Sequence, residues 1–133
     1  MVARSLSALF VAAVLVVPAA AQDVKLPDTP QGKIVAGYIK AFNSGDEKTF
    51  LTFHTEHMAE DTLKRRTEAD RKDLFKRMKD DFGQLKPARI IEAKADAISL
   101  AVPTLGGDEA TMVFTFETAA PYKINGISVQ VGG

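Results

Sequence analysis

The sequence predicts an α+β fold, N-terminal helices packed on a curved four-stranded antiparallel sheet, and three observations predict it. Apolar residues recur with a period near 3.6 up to Gly83 and with a period of 2 beyond it. The alternating runs after Gly83 are joined by short spacings, which suit an antiparallel meander because parallel pairing needs crossover helices. A chain of 133 residues is long enough for one hydrophobic core and too short for two.

Residues 1–21 read as an address. Met1 to Ser5 carry a single positive charge, Leu6 to Val17 are apolar except for Ser7, and Pro18-Ala19-Ala20-Ala21 leads into polar Gln22-Asp23. That order matches a secretory signal peptide cut after Ala21. The apolar run is shorter than the roughly 20 residues needed to cross a bilayer, so no stable membrane anchor is expected after cleavage. The expected organisation is a signal peptide at 1–21, a tether at 22–29 and one domain at 30–133, exported to the periplasm or secreted.

Pro27 and Pro30 keep the tether extended. Thr29 is placed to cap a helix whose first residue is Pro30, and Ile34, Tyr38 and Phe42, widened by Val35 and Ile39, form its apolar stripe. Asn43-Ser44-Gly45-Asp46 closes this helix and opens a second, which carries Phe50, Leu51, Phe53, His54 and His57 and ends near Met58. Glu60 to Asp81 holds 15 charged residues in 22, eight basic and seven acidic. Within it Thr67 and Asp70 have capping-box spacing, and Leu74, Phe75, Met78 and Phe82 make one stripe that Gly83 terminates. The interleaved acids cancel most of the field of Lys64-Arg65-Arg66, which reads as a solvated helix face.

Four strands are expected after that. Ala88 to Ala93 alternate, Ile98, Leu100 and Val102 follow, and Pro103 to Asp108 make a turn. Ala110, Met112, Phe114 and Phe116 share a face, with Thr111, Val113 and Thr115 opposite. The last strand carries Ile127, Val129 and Val131, and Asn125-Gly126 before it reads as a bulge. The helices cover one sheet face with Tyr38, Phe42, Phe50, Phe53, Leu74, Phe75, Met78 and Phe82. The strands answer with Ile98, Leu100, Met112, Phe114, Phe116, Ile127 and Val129.

The net charge is zero, 17 basic against 17 acidic residues, which argues against a chain built to coat nucleic acid. Without cysteine there are no disulfides, thiolate metal sites or cysteine nucleophile. Several segments, in order, carry a family resemblance: Ala41-Phe42-Asn43-Ser44-Gly45-Asp46, Glu56-His57-Met58, Phe82-Gly83, and Pro121-Tyr122-Lys123-Ile124-Asn125-Gly126-Ile127. Over about residues 30–131 the chain resembles the nuclear transport factor 2-like (SnoaL-like, cystatin-type roll) superfamily. Within it the chain resembles a small exported accessory domain found beside bacterial serine peptidase or β-lactamase-type hydrolases. The resemblance implies a cone-shaped α+β roll around a ligand-binding cavity, which some members use catalytically and others for binding or dimerising. No Gly-x-Ser-x-Gly or Ser-x-x-Lys is present, so a hydrolase nucleophile does not carry over.

Few side chains suit chemistry. His54 and His57 lie three apart on one helix, and an imidazole near neutral pKa suits proton transfer. His57 occupies the position most like the family's helix-end histidine and is the candidate base; a structural role, locking the helix end to a carbonyl, is the simpler reading. Glu56 points elsewhere on the helix and no His-Glu-x-x-His is present, so no metal site is expected. Arg71 shares a stripe with Leu74, Phe75 and Met78; it either reaches into the cavity as an anion anchor or snorkels outward to an acid, the second being the simpler reading. Tyr38, Phe42, His54, His57, Arg71 and Phe114 are the candidate cavity residues. No cofactor is expected.

The function these residues favour is a non-catalytic exported domain that binds a small apolar ligand, or pairs with a second copy through its sheet face, or with a hydrolase-type partner. The alternative is an isomerase or dehydratase using His57 as general base, with Tyr38 or Arg71 orienting substrate.

Overall fold

The structure, a computed structural model, describes residues 24–132, and the expected signal peptide lies outside them. Four helices precede four strands: α1 (Pro30–Asn43), α2 (Glu47–His57), α3 (Glu60–Lys64), α4 (Glu68–Phe82), β1 (Arg89–Ala93), β2 (Ala97–Pro103), β3 (Glu109–Phe116) and β4 (Ile124–Val131). The strands form an open antiparallel sheet in the order β1-β2-β3-β4. The α+β architecture is therefore as the periodicity requires.

Local chemistry sets the helix ends. The Thr29 side chain accepts the Gly32 N–H at 3.0 Å, and Pro30 occupies the first turn. Thr67 and Asp70 close a capping box on α4, at 3.1 Å for the Asp70 N–H and 3.0 Å for the Thr67 N–H. These bonds hold the Asp70 carboxyl below its ordinary value. Gly45 (φ 73°) and Gly83 (φ 68°) take the positive φ that closes α1 and α4. Asn43 does more than stop a helix. Its amide donates to the Leu85 carbonyl at 2.9 Å and accepts the Leu85 N–H at 2.7 Å, clasping the exit of α4 to the end of α1.

Helices and sheet meet in an aromatic core. Tyr38, Phe42, Phe50 and Phe114 are buried, and Tyr38 meets Phe50 and Phe114 edge-on with centroids 5.5 and 5.2 Å apart. Phe50 also packs on Phe75 at 5.0 Å. Leu100, Met112 and Ile124 complete the sheet side.

Four expectations change. The acidic and basic run contains a one-turn helix, α3, ahead of α4, so the helices among the described residues number four. In β1 a register shift between Ile90 and Glu92 interrupts the alternation and leaves Ile91 exposed. Val129 leaves the core: it sits opposite Met112 on the inward face but is 38% exposed, because α3 touches only the start of β4. Leu74 and Ile127 are half-buried at the margin. The expected bulge is present at Asn125: Thr115 pairs with Gly126 and Phe116 with Ile124, leaving Asn125 between them.

Candidate functional site

The helix α2 divides the candidate residues. Phe50 and Phe53 are buried, and His54, one turn after Phe50, is buried with them. An amide carbonyl only accepts, so His54 Nδ1–H donates to the Phe50 carbonyl at 2.8 Å, which leaves Nε2 with its lone pair in the neutral ring. Burial pushes the His54 pKa down; the Phe50 carbonyl opposes this and the Arg71 charge adds to it. His54 is therefore neutral at pH 7.

His54 sits at the boundary between the core and a corner pocket of about 200 Å³ enclosed by α2, α3, α4 and the start of β4. Met58, Leu63, Leu74 and Ile127 give it an apolar lining; Thr62 and Asn125 add polar groups. Long-range pairing assembles this corner. Met58 bridges Ile124, the Ala59 N–H donates to the Ile124 carbonyl at 2.8 Å, and the Thr62 hydroxyl donates to the Asn125 carbonyl at 2.9 Å. The bulge is held from the other side by Thr115, whose hydroxyl donates to the Asn125 side chain.

Arginines supply the charge. Arg71 reaches back from α4 and donates through one terminal nitrogen to the Arg66 carbonyl at 2.8 Å, with the Leu63 carbonyl at 3.4 Å. Its Nε–H is buried and has no acceptor among the described residues. Arg65 and Arg66 are exposed at the mouth. Among the described residues no aspartate or glutamate lines the pocket.

Of the six candidates, His54 and Arg71 meet at this pocket and the other four do not. Arg71 corrects the simpler expectation: it pairs with no acid among the described residues and is turned to backbone carbonyls and the pocket wall. Tyr38, Phe42 and Phe114 are corrected from cavity lining to core, because edge-on aromatic packing fills the space between helices and sheet. Among the described residues the Tyr38 hydroxyl hydrogen-bonds only the Met78 sulfur, at 3.6 Å, and burial raises its pKa. His57 stands outside the pocket, its side chain 40% exposed, stacked on Phe53 at 4.5 Å with Nε2 3.8 Å from Glu56 Oε2.

Sequence reasoning missed Met58, Thr62, Leu63 and the Asn125–Ile127 segment as lining. The capping box and the α4 stripe were the available signals, since together they put Arg71 one turn before Leu74 and Phe75 on the inward side of the helix. Among the described residues no three His, Asp or Glu side chains gather into a metal-holding group, and no helix there is long and apolar enough to cross a membrane. Comparison with protein-family models, with curated proteins and with solved structures gave no match.

Proposed function

We propose that the chain is an exported, non-catalytic domain that holds one small ligand in the corner pocket between α2, α3, α4 and β4. The observation that carries this reading is the pocket itself, a concave space with an apolar lining and a few convergent polar groups. Its size suits a small molecule, since an engineered apolar cavity of about 150 Å³ takes up benzene. The non-catalytic reading is supported by the separation of His57, the candidate base, from the pocket. The four-stranded meander under N-terminal helices supports placing the chain in the nuclear transport factor 2-like superfamily. Export is argued from residues 1–21 alone.

Two experiments test this. Expression in a bacterial host with recovery from the periplasm or medium should give a chain beginning at Gln22; recovery of uncut protein in the cytoplasm defeats the export reading. Titration of ring-sized small molecules, followed by NMR, should give saturable shifts at Met58, Leu63 and Ile127. If no compound gives saturable shifts there, the ligand-binding reading fails.

A further inference from the structure

We infer that the ligand of the corner pocket is an organic monoanion: a carboxylate, bound at Arg71, on an apolar body about the size of one aromatic ring. The inference rests on the ligand-binding reading above and names the chemical class. The chain carries no net charge, yet among the described residues the pocket is lined by Arg65, Arg66 and Arg71 and by no carboxylate. Asp70 is the acid whose charge reaches Arg66 and Arg71, but its carboxylate is turned to the Thr67 N–H in the capping box. None of the three arginines forms an ion pair among the described residues. A neutral ligand would leave the charge on the pocket side without a partner in the ligand.

Arg71 is held for the task. Bonds from one terminal nitrogen to backbone carbonyls fix the guanidinium, while its other terminal nitrogen forms no hydrogen bond among the described residues. An anion oxygen satisfies that donor and gains the charge as well, whereas an alcohol or amide oxygen gains the hydrogen bond alone. The apolar body is required by Met58, Leu63, Leu74 and Ile127, and the volume of about 200 Å³ leaves no room for a nucleotide or a long acyl chain. Inorganic anions would satisfy Arg71 but leave this apolar wall uncovered.

The test compares phenylacetate, its neutral amide phenylacetamide, and acetate, titrated into the purified chain by NMR and calorimetry. Phenylacetate should bind at least tenfold more tightly than either comparison, with shifts at Ile127, Met58 and the Arg71 side chain and with affinity falling as salt is raised. Arg71→Lys, which keeps the charge and removes the second terminal nitrogen, should cost phenylacetate at least tenfold and leave phenylacetamide unchanged. Arg71 also ties Leu63 and Arg66, so Leu63→Phe serves as a second variant that fills the pocket; it should abolish binding in a chain of unchanged circular dichroism. Equal affinity for the amide overturns the anion inference while leaving the pocket a ligand site. Acetate binding as tightly as phenylacetate, with shifts confined to Arg65 and Arg66, reduces the site to surface charge and overturns it as well. No saturable binding by acid or amide removes the underlying reading along with it.

Discussion

Phe50 and His54 are one turn apart on the same helix and face opposite kinds of interior. Around Phe50 the space is filled by rings, Tyr38 and Phe42 meeting it edge-on and Phe75 tilted against it, all within 6 Å by centroid. Beyond His54 the wall opens onto arginines and half-buried aliphatic side chains. One region has finished its packing; the other holds a guanidinium N–H without an acceptor. The contrast teaches that stability and binding are served here by adjacent but separable parts of one helix.

The contrast breaks most severely at its closed side. Phe50→Ala removes a wholly buried ring and should cost about 3–5 kcal/mol in denaturant unfolding. A loss below about 1 kcal/mol would mean that the centre is not close-packed. Next in size is the boundary. The unfolded His54 titrates near 6.5, and burial with the neighbouring Arg71 charge pushes the folded value lower. As pH falls below about 6.5 the unfolded chain takes up a proton that the folded chain refuses, so stability is full above that pH and declines as pH drops toward the folded value. The slope is at most about 1.4 kcal/mol per pH unit. Unfolding measured between pH 7 and 5 should show this decline, and His54→Leu should flatten it; an unchanged slope would place the titration elsewhere.

Smaller effects belong to the open side. Thr62→Val deletes the hydroxyl that meets the Asn125 carbonyl and should cost about 1 kcal/mol, with faster amide exchange at Asn125 and Gly126. Unaltered exchange would show that the backbone pairing at Ile124 holds the corner unaided. Arg66→Ser, at the mouth, should leave stability within about 0.5 kcal/mol; a larger loss would tie the rim to the core and blur the separation.

Much of the closed side was legible in the residues, because near-neighbour physics writes it. The Thr29 cap, the Thr67–Asp70 box, the Gly45 and Gly83 closures and the alternation of Ala110 to Phe116 are all set within a few positions. The open side depends on partners far apart, such as Met58 with Ile124, and no periodicity announces them. The one-turn helix α3 escaped notice because five residues from Glu60 to Lys64 cannot display a stripe. The histidines show the same limit. Spacing alone put His54 and His57 on one side of α2, but the helix ends at His57, so the residue one turn earlier is enclosed while the last one rests on Phe53 in contact with solvent. Arg71 was visible on the α4 stripe; its direction was not, since that is set by the carbonyls of Leu63 and Arg66.

The unpaired Asn125 has a bearing on how this chain tolerates change in length. Ile124 and Ile127 stand opposite Phe116 and Phe114, so both turn inward although an odd number of steps separates them. Excising Asn125 alone would remove the bulge and leave Ile124, Gly126 and Ile127 opposite Phe116, Thr115 and Phe114 in unbroken alternation, so every side chain after it keeps its face. Excising Gly126 as well would set Ile127 opposite Thr115, exposing it and driving Ser128 and Gln130 toward the oily side. The final strand should therefore keep its faces on losing the one extra residue and lose them on losing a second.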